Sequence, residues 1–311
     1  MSVDAVVKTS RVFVGPEQLT EVVAAVEAGG SILADSLVGA DALVWFGRDP
    51  AALEGALPDG LQWLQIPDAG AEKWLDSGFL DRGFVVTCAR GVYGDQVAEH
   101  ALTLILDCTH RIATFARAHS WAPQAAAVGS LAASQVTVVG AGGIGTPLIR
   151  LLQPFGCRIV AVTRSGRMVE GADQSVGAEG LDDALASADV VVLAAPATAE
   201  TTGLINRRTL ALMKPTAMLV NVARGNLIDS RDLLSALDQG MLSAVALDVT
   251  DPEPLPDGHS FFNHPKVLIT PHVANPPALK RASFARHVQE NCRRFNRGEP
   301  LLGVIETGRG Y

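Results

Sequence analysis

The run Gln135-Val136-Thr137-Val138-Val139 passes without a spacer into Gly140-Ala141-Gly142-Gly143-Ile144-Gly145, and a helical pattern continues through Phe155. A strand, a tight glycine turn and a helix in that order leave few folds open. Gly140 permits the turn, Gly142 removes the side chain that would keep a pyrophosphate off the backbone, and Gly145 lets helix and strand pack closely. Gly143 and Ile144 complete the turn, and the N–H groups at the helix start are left aimed at phosphates. A second strand over 158–163 follows at the distance a βαβ unit requires, so the segment reads as a dinucleotide site.

The same rhythm of short β-branched runs and longer helical patterns extends over most of the chain and predicts parallel sheet with crossover helices. Residues 42–46 and 84–87 read as buried strands, and 16–28 as a helix with Pro16 in its first turn and Gly29-Gly30 at its end. Over 94–118, Val97, Ala101, Leu104, Ile105, Cys108, Ile112 and Phe115 recur at spacings of three and four, which predicts one long amphipathic helix. The stretch WAPQAAAVGSLAASQ after it reads as a loop. Strands are then expected at 136–139, 158–163, 190–193, 218–221, 244–247 and 267–269, a set that suits a doubly wound sheet. A helix over 230–239 follows one of them. Residues 277–297 read as a final helix with Leu279, Phe284, Val288 and Phe295 on one face.

The dinucleotide type is read from the end of the second strand. An NAD-preferring site carries Asp or Glu there for the ribose hydroxyls. This chain has Val162-Thr163-Arg164-Ser165-Gly166-Arg167 instead, which offers two hydroxyls and two guanidinium groups and favours NADP, with NAD still possible.

Composition removes several other functions. The chain has 311 residues, 48% of them apolar, enough for about two domains at ~150 residues each. A formal net charge of −8, from 25 Lys+Arg against 33 Asp+Glu, has the wrong sign for a phosphate-backbone binder. No run approaches the ~20 apolar residues of a membrane span, and MSVDAVVKTSRVFV lacks a secretion signal. Cys88, Cys108, Cys157 and Cys292 form no pair or cluster at metal-ligand spacing and read as buried thiols in a reducing compartment. A cytoplasmic protein without metal, membrane or nucleic-acid partners is expected.

Past the dinucleotide turn, Asn221-Val222-Ala223-Arg224-Gly225-Asn226-Leu227-Ile228-Asp229 puts Arg224 at the carboxyl end of a strand, where open α/β sheets bind ligands. Leu247-Asp248-Val249-Thr250-Asp251-Pro252-Glu253 follows another strand, and Thr270-Pro271-His272 a third. Each of Arg224, Glu253 and His272 alone has an ordinary reading, as a surface fork, a loop charge and a core or capping histidine.

Together with Val97-Ala98-Glu99-His100-Ala101-Leu102 and Ala195-Pro196-Ala197-Thr198-Ala199-Glu200-Thr201, these segments resemble the D-isomer-specific 2-hydroxyacid dehydrogenases, and among them the glyoxylate/hydroxypyruvate reductase-like members. The resemblance implies an α/β protein of two Rossmann-like or flavodoxin-like domains with parallel sheets. A cofactor domain, 97–276, would be inserted into a discontinuous substrate domain, 1–96 and 277–311, with substrate in a hinged cleft. It implies His272 as general acid/base, Glu253 as its carboxylate partner and Arg224 as the group that grips the substrate carboxylate and polarises its carbonyl. Asp248 would face the nicotinamide carboxamide, Val222 and Ala223 would line the ring, and Ala195 and Pro196 would belong to the cofactor site. Backbone N–H groups of Ala69, Gly70 and Ala71 in the loop Ile66-Pro67-Asp68-Ala69-Gly70-Ala71-Glu72 would hold the carboxylate, and homodimerisation would use the helix after Gly94.

The residue types suit the reduction of a small 2-ketoacid. A proton must reach the carbonyl oxygen, and a histidine beside a carboxylate can deliver it, while an arginine fork matches a carboxylate bidentately. Asp68 stands where the family has a small or apolar residue, Thr250 replaces a frequent aromatic, and Val273-Ala274-Asn275-Pro276-Pro277 replaces the usual Gly and hydroxyl residue. Trp45, Trp74 and Tyr93 could touch substrate, but aromatics at such places are at least as often core or interdomain packing, and they stay outside the catalytic set. Three other activities stay open: a phosphoglycerate dehydrogenase-like enzyme, a dehydrogenase of formate or phosphite, and a dinucleotide-sensing binding protein of the corepressor type.

Overall fold

A computed structural model describes residues 8–47, 49–75, 77–121 and 128–306. The first elements are β1 (Arg11–Gly15), α1 (Thr20–Ala28), β2 (Ile32–Leu33), β3 (Ala42–Trp45), β4 (Trp63–Gln65), α2 (Glu72–Leu75) and β5 (Val85–Thr87). Next come α3 (Gly94–His110), α4 (Ile112–Ala116), β6 (Gln135–Val139), α5 (Gly145–Leu152), β7 (Arg158–Val162), β8 (Gln174–Val176), α6 (Leu181–Ser187) and β9 (Val190–Leu193). The chain closes with α7 (Arg207–Leu210), β10 (Met218–Asn221), α8 (Ser230–Asp238), β11 (Ala244–Leu247), α9 (Ser260–Asn263), β12 (Val267–Ile269) and α10 (Pro277–Asn296). The described residues up to Tyr93, with those from Pro276 on, form one compact unit, and Gly94–Asn275 form the other.

In the first unit five parallel strands run in the order β2-β1-β3-β4-β5. Val12, Val14, Val44 and Trp63 pack on Val22 and Val26 of α1 and on Phe284, Val288 and Cys292 of α10. Leu43, Leu64 and Val86 point to the other face and pack with Leu53, Trp74 and Phe79. In the second unit seven parallel strands run β12-β11-β10-β9-β6-β7-β8. The two-residue period of a strand divides its core: Val136, Val138, Val190 and Val192 meet α3 and α5, while Val191, Leu193 and Leu219 meet α6 and α8. Strand order reverses between β6 and β9, which opens a crevice at their carboxyl ends.

The helix expected over 94–118 is two helices. Arg111 takes a left-handed conformation, φ 55°, between α3 and α4, and Asp107 Oδ1 accepts the Ala113 N–H at 2.8 Å at the start of α4. Ile112 and Phe115, expected to bury with α3, are exposed past that break. The helix expected from Pro16 begins at Thr20 because extended backbone at Leu19 turns that side chain toward the core. Leu279 is exposed, so the buried face of α10 starts at Ser283 and Phe284. Strands β1, β2, β4 and β8 add to those expected. Within WAPQAAAVGSLAASQ, residues 122–127 lie outside the described residues, and 131–133 form a short 3-10 turn. All four cysteines are free and buried. Among the described residues no helix is long and apolar enough to cross a membrane, and no group of three or more His, Cys, Asp or Glu is placed to hold a metal ion.

Candidate active site

The glycine turn sits at the reversal of strand order, and each glycine has a separate steric reason. Gly140 has φ +96°, and a Cβ there would stand 2.5 Å from the Ala195 nitrogen after β9. At Gly145 a Cβ would be driven into the Gly140 carbonyl oxygen, so helix α5 can start against β6 only without one. A Cβ at Gly142 meets no atom within 4 Å, so that backbone borders open space. No side chain caps α5 at Ile144; Thr146 N donates to Gly142 O at 3.1 Å and Pro147 has no N–H, so an anion here would be met by the amides of the glycine turn itself.

At the end of β7 the Thr163 hydroxyl is buried and has no hydrogen-bond partner. An orphaned donor and acceptor is costly unless something fills the position. The open backbone at Gly142, the uncapped helix start and the waiting hydroxyl fit a dinucleotide with its pyrophosphate on the turn and its adenosine ribose beside Thr163. Arg164 and Arg167 are exposed. Arg167 Nη2 donates to Ala141 O at 2.6 Å, tying the segment after β7 to the glycine turn. The Thr198 hydroxyl first, then the Glu200 backbone, and last the Arg164 charge hold the Glu200 carboxyl below the usual range. Ser165 pairs through its backbone with Gly177. Ala195 is buried and Pro196 exposed at the start of the loop after β9, where Thr201 Oγ1 donates to Pro196 O at 2.6 Å.

Three neighbouring strands deliver the polar set. After β10, the buried Asn221 side chain accepts from Ala223 N at 3.0 Å and donates to Arg224 O at 2.8 Å, fixing the turn on which Arg224 stands. Arg224 Nη1 donates to Ala223 O at 2.8 Å, and Val222 and Ala223 are buried. Gly225 has no room for a Cβ, which would overlap the Thr250 carbonyl on the loop after β11. That loop carries Glu253, whose Oε1 lies 2.7 Å from His272 Nδ1 after β12. Both side chains are about half exposed. His272 has φ 52°, one of two non-glycine residues with positive φ among those described.

Asp248, at the end of β11, is 2% exposed. Its Oδ1 accepts from Thr270 Oγ1 at 2.6 Å and Val273 N at 3.0 Å, and its Oδ2 from Ala274 N at 3.2 Å. Burial pushes this carboxyl up, but hydrogen bonds from His100, Thr270 and Val273 outweigh it and hold the group below the usual carboxylate range. Both Asp248 oxygens are thus engaged within the protein.

Ala69, Gly70 and Ala71 belong to the first unit, and the polar set belongs to the second. There Ile66 N donates to Thr87 O at 2.8 Å, Ala89 N to Asp68 O at 2.9 Å, and Tyr93 Oη to Pro67 O at 2.6 Å. Burial first, and then the Asp68 carboxylate, raises the Tyr93 phenol, which stays protonated to hold Pro67. Ala69 is exposed, whereas Ala71 is buried and accepts the first amides bonded within α2. Trp74 is core, packed edge-on to Phe79 at 5.6 Å.

Asn221, Thr270 and His100 carry structural work that residue-type reasoning left unassigned. Asn221 and Thr270 each end a strand or follow it directly. His100 lies on the inner side of α3, an unusual place for an imidazole and the signal that could have marked it.

Residues 101–274 match the family described as D-isomer specific 2-hydroxyacid dehydrogenase, NAD binding domain. The chain is 34% identical over 230 residues to the glyoxylate reductase of Pyrococcus furiosus, covering 70% of this chain and 68% of that one. It is 30% identical over 281 residues to glyoxylate/hydroxypyruvate reductase A of Serratia proteamaculans, covering 88% and 79%. Its structure is similar, with a TM-score of 0.81 and 26% identity over 97% of this chain and 100% of the other, to the NADPH-dependent glyoxylate/hydroxypyruvate reductase of Sinorhizobium meliloti in complex with NADP and sulfate.

Proposed function

This chain belongs to the D-isomer-specific 2-hydroxyacid dehydrogenases, NAD(P)-dependent oxidoreductases acting on CH–OH donors, and we propose that it reduces a small 2-ketoacid of the glyoxylate or hydroxypyruvate class, with NADPH preferred over NADH. The observation that carries the reading is the 2.7 Å contact between Glu253 and His272 on strand ends beside the one that bears Arg224.

In this reading the bound nicotinamide supplies hydride to the carbonyl carbon. The protein has to bind the carboxylate, favour charge on the oxygen and deliver a proton. Glu253 holds Nδ1 of His272, which leaves Nε2 to carry the proton toward the substrate oxygen. The Arg224 fork binds the carboxylate and stabilises the developing alkoxide. The amides of Ala69, Gly70 and Ala71 are further carboxylate donors. Pyrophosphate would rest on Gly140, Gly142, Gly143, Ile144 and Gly145. Thr163, Arg164 and Ser165 would meet the ribose 2′-phosphate, and Ala195, Pro196, Val222, Ala223 and Asp248 would border the rest of the dinucleotide. The second unit is then the cofactor domain and the first the substrate domain. A cytoplasmic homodimer completes the proposal.

The test is the initial rate of NADPH and of NADH oxidation against glyoxylate, hydroxypyruvate, pyruvate, phenylpyruvate and 3-phosphohydroxypyruvate. Turnover of glyoxylate and hydroxypyruvate, faster with NADPH, is expected. Turnover confined to 3-phosphohydroxypyruvate, or reduction of NAD(P)+ by formate or phosphite with no ketoacid activity, overturns the substrate assignment. No turnover on any of these substrates leads to the binding-protein reading.

A further inference from the structure

A chain of hydrogen bonds runs behind His272 and ends on a second histidine. His100 Nε2 lies 3.0 Å from Thr270 Oγ1 and 3.3 Å from Asp248 Oδ1, and its side chain is 20% exposed. The Thr270 hydroxyl lies 2.6 Å from the same Asp248 oxygen. A carboxylate cannot donate, so the single hydroxyl proton of Thr270 goes to Asp248. The hydroxyl can then only accept from His100, which assigns the ring proton to Nε2. The order is therefore His100 N–H to Thr270 O–H to Asp248, each bond polarising the next.

At its other end the chain grips the backbone. His272 N donates to the Asp248 carbonyl at 2.8 Å, Val273 N to Asp248 Oδ1 at 3.0 Å, and Ala274 N to Asp248 Oδ2 at 3.2 Å. Three consecutive amides thus end on one residue. The first belongs to His272, whose left-handed backbone is disfavoured in an L-residue. That conformation persists only where the surroundings hold it, and the surroundings here are Asp248 with what orients its carboxylate.

We propose that His100 is a positioning residue for the reaction: acting through Thr270 and Asp248, it holds residues 272–274 in the turn that presents the His272 imidazole to Glu253. The inference rests on the reading of His272 as the general acid. It explains why an imidazole occupies the inner side of α3, where an apolar residue would cost less to bury. A glutamine amide reaches about as far as Nε2 and can donate in its place; an alanine cannot.

The experiment compares His100→Ala, His100→Gln and the parent protein by hydrogen–deuterium exchange and by steady-state kinetics. His100→Ala is expected to raise deuterium uptake in peptides spanning 270–276, and to lower kcat about tenfold or more while NADPH affinity stays within about twofold. His100→Gln is expected to restore slow exchange and most of kcat. Thr270→Val should behave as His100→Ala, and Thr270→Ser as the parent. Unchanged exchange in His100→Ala, loosened exchange with unchanged kcat, or a His100→Gln protein as impaired as His100→Ala would each overturn the proposal. If the parent turns over no ketoacid, the reading of the reaction fails, whereas exchange at 270–276 still reports whether His100 holds the segment.

Discussion

Glu253 and His272 reach each other from different strand ends: Oε1 of the loop residue after β11 stands 2.7 Å from Nδ1 of the residue that follows β12. Neither group is buried enough for the pair to matter much to folding. Exposed pairs of this kind contribute about 0–1 kcal/mol, so any large effect of breaking it belongs to the chemistry.

Glu253→Gln should therefore leave the thermal midpoint within a degree or two and reduce kcat for ketoacid reduction by about a hundredfold or more. Calorimetry beside initial-rate measurements checks both halves. A loss of activity in step with a loss of fold would sink the assignment.

The glycines of the turn should separate binding from folding. Gly142→Ala places a methyl group where no protein atom lies within 4 Å. It should leave stability nearly unchanged and weaken NADPH binding by about tenfold or more. Gly145→Ala drives its methyl into the Gly140 carbonyl and should destabilise the protein by about 1–3 kcal/mol. Ligand titration and denaturant melts on the two variants give opposite patterns, and identical patterns would refute the steric reading.

Arg164 should act on one dinucleotide more than the other. Arg164→Ala is expected to raise KM for NADPH by about tenfold and to leave KM for NADH within about twofold, since only NADPH carries the 2′-phosphate. Equal effects on both would remove Arg164 from the choice of dinucleotide and leave Arg167, already tied to Ala141 O, as the cation to exchange.

His287, on α10, predicts acid sensitivity in the first unit. Burial lowers its pKa from 6.5 to about 4, against a smaller upward pull from a Cys88 backbone hydrogen bond. Between these values the unfolded chain binds the proton and the folded chain does not. Stability therefore rises with pH; the contribution is complete above about 6.5 and is lost as pH falls through about 4, roughly 3 kcal/mol in all. Urea melts at pH 7.5, 5.5 and 4.5 should show a shallower acid slope in His287→Gln than in the parent.

Much of this architecture was legible in the residues. The strands of the second sheet from Val136 to Ile269 are β-branched and flanked by glycine or polar turns, and the six of them expected from the sequence are present. β8 escaped because Gln174-Ser175-Val176 is a polar edge strand with no apolar run, and β4 because Trp63-Leu64-Gln65 is too short for any period to show. β1, Arg11–Gly15, carries Val12, Phe13 and Val14 in a row, a signal as open as that of the later strands. The break at Arg111 has no glycine or proline to announce it; a left-handed arginine is decided by the Asp107 cap and by the lack of a core for Ile112 and Phe115 to enter. In the site, Arg224, Glu253 and His272 were visible as residue types after strands. The engagement of Asp248 with residues 272–274 was not, because a hydrogen bond across 25 residues of sequence leaves no periodic trace.

The first unit is interrupted after Tyr93 and resumed at Pro276, and this has a consequence for the order in which a ribosome releases the parts. Val22, Val26 and Trp63 wait for Phe284, Val288 and Phe295 of α10, and Gly29 is bare because Cys292 of that helix must come against it. All of the second unit is synthesised in between. An emerging chain can thus complete its seven-stranded sheet while the five-stranded one still exposes an apolar flank. That flank is the natural target for a holding chaperone, and termination just before α10, once β12 is complete, releases a polypeptide with a finished dinucleotide fold joined to an unfinished, aggregation-prone partner.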